Sequence, residues 1–80
     1  MADLSAQHYL RIYRIKLALA EDGTTHPSTE TVDSMRRLVA SLTALEADSP
    51  VRLEVVESTA RFTDVVTGRV LAELRWAADA

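Results

Sequence analysis

Pro27 and Pro50 are the only prolines in the chain, and they bracket the segment that most constrains its fold. Pro27 disfavours helical geometry at His26, and the hydroxyl of Ser28 or Thr29 can accept a bond from a free first-turn amide. Glu30 and Asp33 then place negative charge near the positive end of a helix dipole. Val32, Met35, Val39, Leu42 and Leu45 follow at spacings of three and four, with Leu38 widening the stripe. This is the apolar face of an amphipathic helix. It is expected to end near Ala47, where Asp48-Ser49-Pro50 stops it. Asp33 and Arg37 stand four apart on the wet side, in the favourable acid-first order.

Downstream the period changes from about 3.6 to 2. In residues 51–58, VRLEVVES, the apolar Val51, Leu53 and Val55 alternate with Arg52 and Glu54, which predicts a strand. Residues 60–76 read as a hairpin whose bend lies in Asp64-Val65-Val66-Thr67-Gly68-Arg69. Gly68 can take a positive φ, and the Asp64 carboxylate can accept bonds from the turn's own amides. A two-residue Thr67-Gly68 loop and a longer loop starting after Asp64 compete, and they pair the strands differently. In the outgoing strand Val70, Ala72, Leu74 and Trp76 form the better core row.

The stretch that decides the architecture is residues 9–20, YLRIYRIKLALA. A helical wheel sets His8, Arg11, Arg14 and Lys16 against an arc of Tyr9, Leu10, Ile12, Tyr13 and Leu17, with Ile15 and Leu19 among the charges. With period two, Tyr13, Ile15, Leu17 and Leu19 line one side, and Arg14, Lys16, Ala18 and Ala20 the other. Three strands and one helix leave a small sheet, and a fourth strand gives the helix a broader surface to cover. The preferred fold is therefore α+β in the order β-α-β-β-β, one helix on a mainly antiparallel four-stranded sheet. The competing order is α-α-β-β-β. Residues 1–80 form one small domain, with 1–7 and 77–80 expected to fray.

Composition narrows the functional classes. The chain has 80 residues and no cysteine, so disulfides, thiolate metal sites and cysteine nucleophiles are excluded together. His8 and His26 are separated by a whole element, at no ligand spacing with Glu21 or Asp22. Serines and threonines cluster at caps and turns, and Gly23 and Gly68 stand alone rather than in a phosphate loop. No catalytic residue, metal ligand or cofactor is assigned. No apolar run approaches the ~20 residues that span a bilayer, and MADLSAQH lacks the basic and apolar regions of a signal peptide. The expected location is the cytoplasm.

The net charge of −3 is unevenly spread. Residues 1–20 hold three cations and one acid, residues 21–50 two and six, and residues 51–80 four and five. A globally acidic domain repels phosphates, which makes nucleic acid a minor expectation. The expected function is a non-catalytic protein-binding or inhibitory role, of the immunity, antitoxin-like, phage anti-defence or accessory-subunit kind. The expected contact residues are Glu21, Asp22, Tyr9 and Trp76, together with the edge of strand 9–19, through which a homodimer can form. The alternative is a nucleic-acid-associated protein using Arg11, Arg14, Lys16, Arg36 and Arg37, with Tyr9 and Tyr13 available for stacking.

Overall fold

A computed structural model describes residues 3–75. The elements in chain order are β1 (Leu4–Ser5), α1 (Ala6–Glu21), α2 (Thr29–Ala44), β2 (Pro50–Val56), β3 (Thr59–Asp64) and β4 (Val70–Arg75). The strands form one antiparallel sheet in the order β1-β2-β3-β4, and both helices pack on the same face. The fold is α+β, with the α-α-β-β-β succession preceded by a two-residue strand.

Residues 9–19 are thus helix and not the expected strand. The start of α1 shows why. The Ser5 hydroxyl accepts a bond from the His8 amide at 3.3 Å, which satisfies one free first-turn donor. The Ala6 and Gln7 amides donate to the Ser49 and Ala47 carbonyls at 2.8 and 3.0 Å. Ala6, Tyr9, Leu10, Tyr13, Leu17 and Ala20 then bring a 3.6-period stripe onto the core. Ile15 is left 63% exposed. The fourth strand comes from Leu4–Ser5, paired with Val51 and Pro50. Residues 4–7, expected to fray, are therefore in β1 and the first turn of α1. Gly23, at φ +84°, carries the chain out of α1 after Asp22.

Ser28 caps α2 as the sequence suggests, accepting from the Thr31 amide at 3.1 Å. The helix ends at Ala44, earlier than expected. Met35, Leu38 and Leu42 are its buried residues. Strand β2 also stops early, at Val56, because Glu57 and Ser58 turn the chain into β3.

The β3–β4 hairpin uses the longer loop. The Asp64 amide donates to Arg69 O at 2.8 Å, and Gly68 N–H donates back to Asp64 O at 2.7 Å. The register slips by one residue between Phe62↔Ala72 and Thr63↔Val70. Leu71 is the extra residue of a bulge. Ala72 and Leu74 keep the core face as expected. Val70 is shifted to the outer face, where it is 47% exposed, and Leu71 packs against the core in its place. Trp76, expected in the same row, lies outside the described residues. The fully buried centre is Phe62, Leu38, Leu42 and Val51.

Candidate functional site

The sheet has two edges, and they differ. On the β2 side, β1 covers Pro50 and Val51 alone among the described residues. On the other side β4 has β3 as its single neighbour along its whole length among the described residues. In an antiparallel ladder the backbone groups of alternate residues point to opposite sides of the strand. Asp64 bonds toward the β4 side through both its N–H and its C=O. Phe62 and Ala60 therefore do the same, and their partners Ala72 and Leu74 are the hydrogen-bonded pairs. The backbone groups of Glu73 and Arg75 point off the free edge. Consistent with this, the Thr31 hydroxyl of α2 donates to Arg75 O at 3.4 Å.

A groove runs along this edge between β4 and the flank of α2. Glu30, Asp33, Ser34 and Arg37 line one half against Val70, Leu71, Ala72, Glu73 and Arg75. Ala40, Ser41, Ala44 and Leu45 line the other half against Leu71 and the 65–69 loop. From Glu30 to Leu45 the helix rises about 22 Å. A six-residue strand spans about 20 Å, and the groove continues beyond β4 along the loop that precedes it. Ser34, Ala40, Ser41 and Ala44 are small, which leaves space above β4.

The outer face of the sheet carries a charged row. Glu54 opposes Arg61, and Arg61 opposes Glu73. Arg61 Nε donates to Glu73 Oε2 at 2.8 Å, and this bond with the Glu73 charge makes the guanidinium hold its proton more tightly than a free one. Arg52 reaches Asp3 through Nε and Nη2 at 3.2 and 3.4 Å. Its pKa is raised in the same way, first by the bond to Asp3.

The residues singled out in the sequence are dispersed. Tyr9, expected as a contact point, is 5% exposed and meets Phe62 edge-on, because α1 turns it into the core. Glu21 pairs with Arg36 at 3.2 Å, and the other arm of Arg36 reaches Asp33 at 3.5 Å. Asp33 therefore pairs with Arg36 and not, as the spacing suggests, with Arg37. Asp22 caps α1, and its Oδ1 accepts from Thr24 N–H at 2.9 Å. Hydrogen bonding to Thr24 holds that carboxyl below the usual range.

The five cations do not form one surface. A helix turns about 100° per residue, so Arg11 and Arg14 share one flank of α1 while Lys16 stands at the far end of the charged arc, about 160° from Arg14, whereas a strand would align Arg14 and Lys16. Lys16 lies against the apolar flank, its Nζ 5.6 Å from the Tyr13 ring centroid. Arg14 faces the end of α2 near Leu42 and Leu45. Arg36 is paired with Glu21 and Asp33, and Arg37 lies in the β4 groove. Tyr9 and Tyr13 both pack on Phe62.

Among the described residues no three His, Cys, Asp or Glu side chains converge in a metal-binding group, and no helix is long and apolar enough to cross a membrane. Comparison with protein-family models, with curated proteins and with solved structures finds no match. The free edge of β4 was not among the expected contact points. A signal for it exists, since the last strand of a meander has a neighbour on one side only.

Proposed function

We propose that this chain is a small non-catalytic protein-interaction module that recognises an extended segment by strand addition to β4. The observation that carries the reading is the edge at Glu73 and Arg75, which pairs with no further strand among the described residues and lies beside the groove between β4 and α2. Strand addition draws affinity from main-chain bonds and selectivity from the alternate side chains that enter the groove. Inhibitory, immunity-like and accessory-subunit roles all work by presenting such a surface. Nucleic-acid contact receives less support, because the cations are spread around the molecule and the tyrosines are packed.

The test uses extended peptides selected from a displayed library on the isotope-labelled protein. Amide shifts should concentrate on Glu73, Arg75 and the Ser34–Ser41 flank of α2. Glu73→Pro removes an N–H that points off the edge while leaving the bonds between β3 and β4, so it should keep the circular dichroism spectrum and lose peptide binding. Shifts centred on α1, or binding unaffected by Glu73→Pro, would reject the reading.

A further inference from the structure

Resting on the reading of β4 as a strand-accepting edge, we infer that its occupant is a second copy of this chain, paired antiparallel with β4 in the register centred on Leu74. Two-fold symmetry restricts the choice sharply. A two-fold axis normal to the sheet places one residue opposite itself, and residues equally far on either side face each other. Centring on Glu73 sets like charges directly opposite, which is unfavourable. Centring on Ala72 sets Leu71, the bulged residue, opposite Glu73. Centring on Leu74 sets Glu73 of each copy opposite Arg75 of the other.

Three independent features favour that last register. The first is the backbone. Glu73 and Arg75 are the residues whose N–H and C=O groups point off the edge, so the facing pairs are the ones able to exchange hydrogen bonds. Arg75 O keeps a lone pair for this while accepting from Thr31.

The second is the outer face. The row Glu54, Arg61, Glu73 alternates in sign across β2, β3 and β4, and Arg75 of the second copy continues the alternation. Arg75 makes no ion pair among the described residues.

The third lies in the groove. Thr31 sits level with Arg75 through their 3.4 Å bond. One strand residue advances about 3.4 Å and one helix residue about 1.5 Å, so Leu74 lies level with the turn at Asp33. The axis then falls midway between Glu30 and Arg37, which line the same groove. Glu30 of one copy comes level with Arg37 of the other, and Arg37 likewise has no ion pair among the described residues. Opposite charges thus face each other across the outer face of the seam and stand level with each other on the helix face, in reciprocal pairs.

Sedimentation velocity across a concentration series tests this, with circular dichroism on every variant. The wild type should pass from monomer to a species of twice the mass. Arg75→Glu leaves Arg61–Glu73 untouched and turns both outer pairs repulsive, so the dimer dissociation constant should rise about ten-fold or more. Adding Glu73→Arg to Arg75→Glu restores opposite charges and should recover most of that loss, whereas Glu73→Arg alone should not. Glu73→Pro should abolish the dimer. A wild type that stays monomeric while selected peptides still bind β4 overturns the second copy as occupant and leaves the edge reading intact. A dimer indifferent to Arg75→Glu and Glu73→Pro overturns the inference by placing the interface elsewhere.

Discussion

The ring of Tyr9 stands edge-on to that of Phe62, with centroids 5.3 Å apart and planes at 82°. Tyr13 meets the same ring at 5.3 Å and 83°. Two successive turns of α1 are thus joined to the middle of β3 through one side chain. Edge-to-face pairs of this kind contribute about 0.5–1.5 kcal/mol each beyond their area burial.

Removing that side chain should be close to the limit of what the domain tolerates. Phe62 is fully buried, and Phe→Ala in a core costs about 3–5 kcal/mol. An 80-residue domain has a total stability of roughly 4–12 kcal/mol. Phe62→Ala should therefore shift the urea midpoint strongly downward and leave a measurable unfolded fraction in buffer. Retention of the wild-type midpoint would show that α1 does not depend on this contact.

The same contacts give the tyrosines a pH signature. Burial, and secondarily the charge of Asp3, raises the Tyr9 phenol above its ordinary value of 10.0. Burial, and secondarily Tyr9, raises Tyr13. The folded state therefore keeps these protons longer than the unfolded chain. Their contribution to stability is complete below pH 10 and is lost as pH rises through the folded values. Phenolate absorbance, which reports the chain's two tyrosines alone, should show both ionising above pH 10 in the folded protein and near 10 in urea. Folded-state ionisation at the unperturbed value would contradict the packing of both rings.

Much of this fold is legible in the sequence, and the departure at α1 has a definite cause. Residues 28–44 carry one period, an N-terminal cap at Ser28 and a proline beyond each end, so α2 emerges within a few residues of expectation. Residues 9–20 fit both periods. What resolves them is Ser5, whose capping role is visible only once Ala6 and Gln7 are seen to donate to the loop before β2. That contact spans some forty residues of sequence, which no local pattern reports. The face of Val70 was lost for a similar reason, since a bulge at Leu71 is set by how β3 and the loop close together. The β4 edge follows from topology: with 9–19 in a helix, the edge expected there is absent and the last strand of the meander has one neighbour among the described residues.

Asp64 organises the loop that creates the bulge, and its substitution should show it. Its carboxylate accepts from the Val66 amide and the Thr67 hydroxyl, each at 3.0 Å, while the residue is buried. Asp64→Ala leaves these donors without their partner and should cost about 1–3 kcal/mol. Asp64→Asn can accept from Val66 through its oxygen and donate to Thr67 through its amide, so it should lose less. Denaturant midpoints rank the variants, and hydrogen exchange at the Gly68 amide should accelerate in Asp64→Ala. Equal losses for both would mean that the carboxylate's charge, rather than its bonds, holds the loop.

The tight turn between β2 and β3 offers a change of opposite sign. Glu57 has φ 56° and is the only non-glycine residue with positive φ among the described residues. A side chain in that region is sterically disfavoured, and glycine relieves the strain at some cost in unfolded-state freedom. Glu57→Gly should therefore stabilise the domain by about 0.5–1 kcal/mol, a rise in melting temperature of roughly 2–8 °C for a chain of this size. Ser58, the other turn residue, has no positive φ. Ser58→Gly adds freedom to the unfolded chain without relieving strain, so it should lower the melting temperature. Thermal melts of the two variants beside the wild type give the check. A gain at both positions, or at neither, would show that the Glu57 backbone is not the source of strain in this turn.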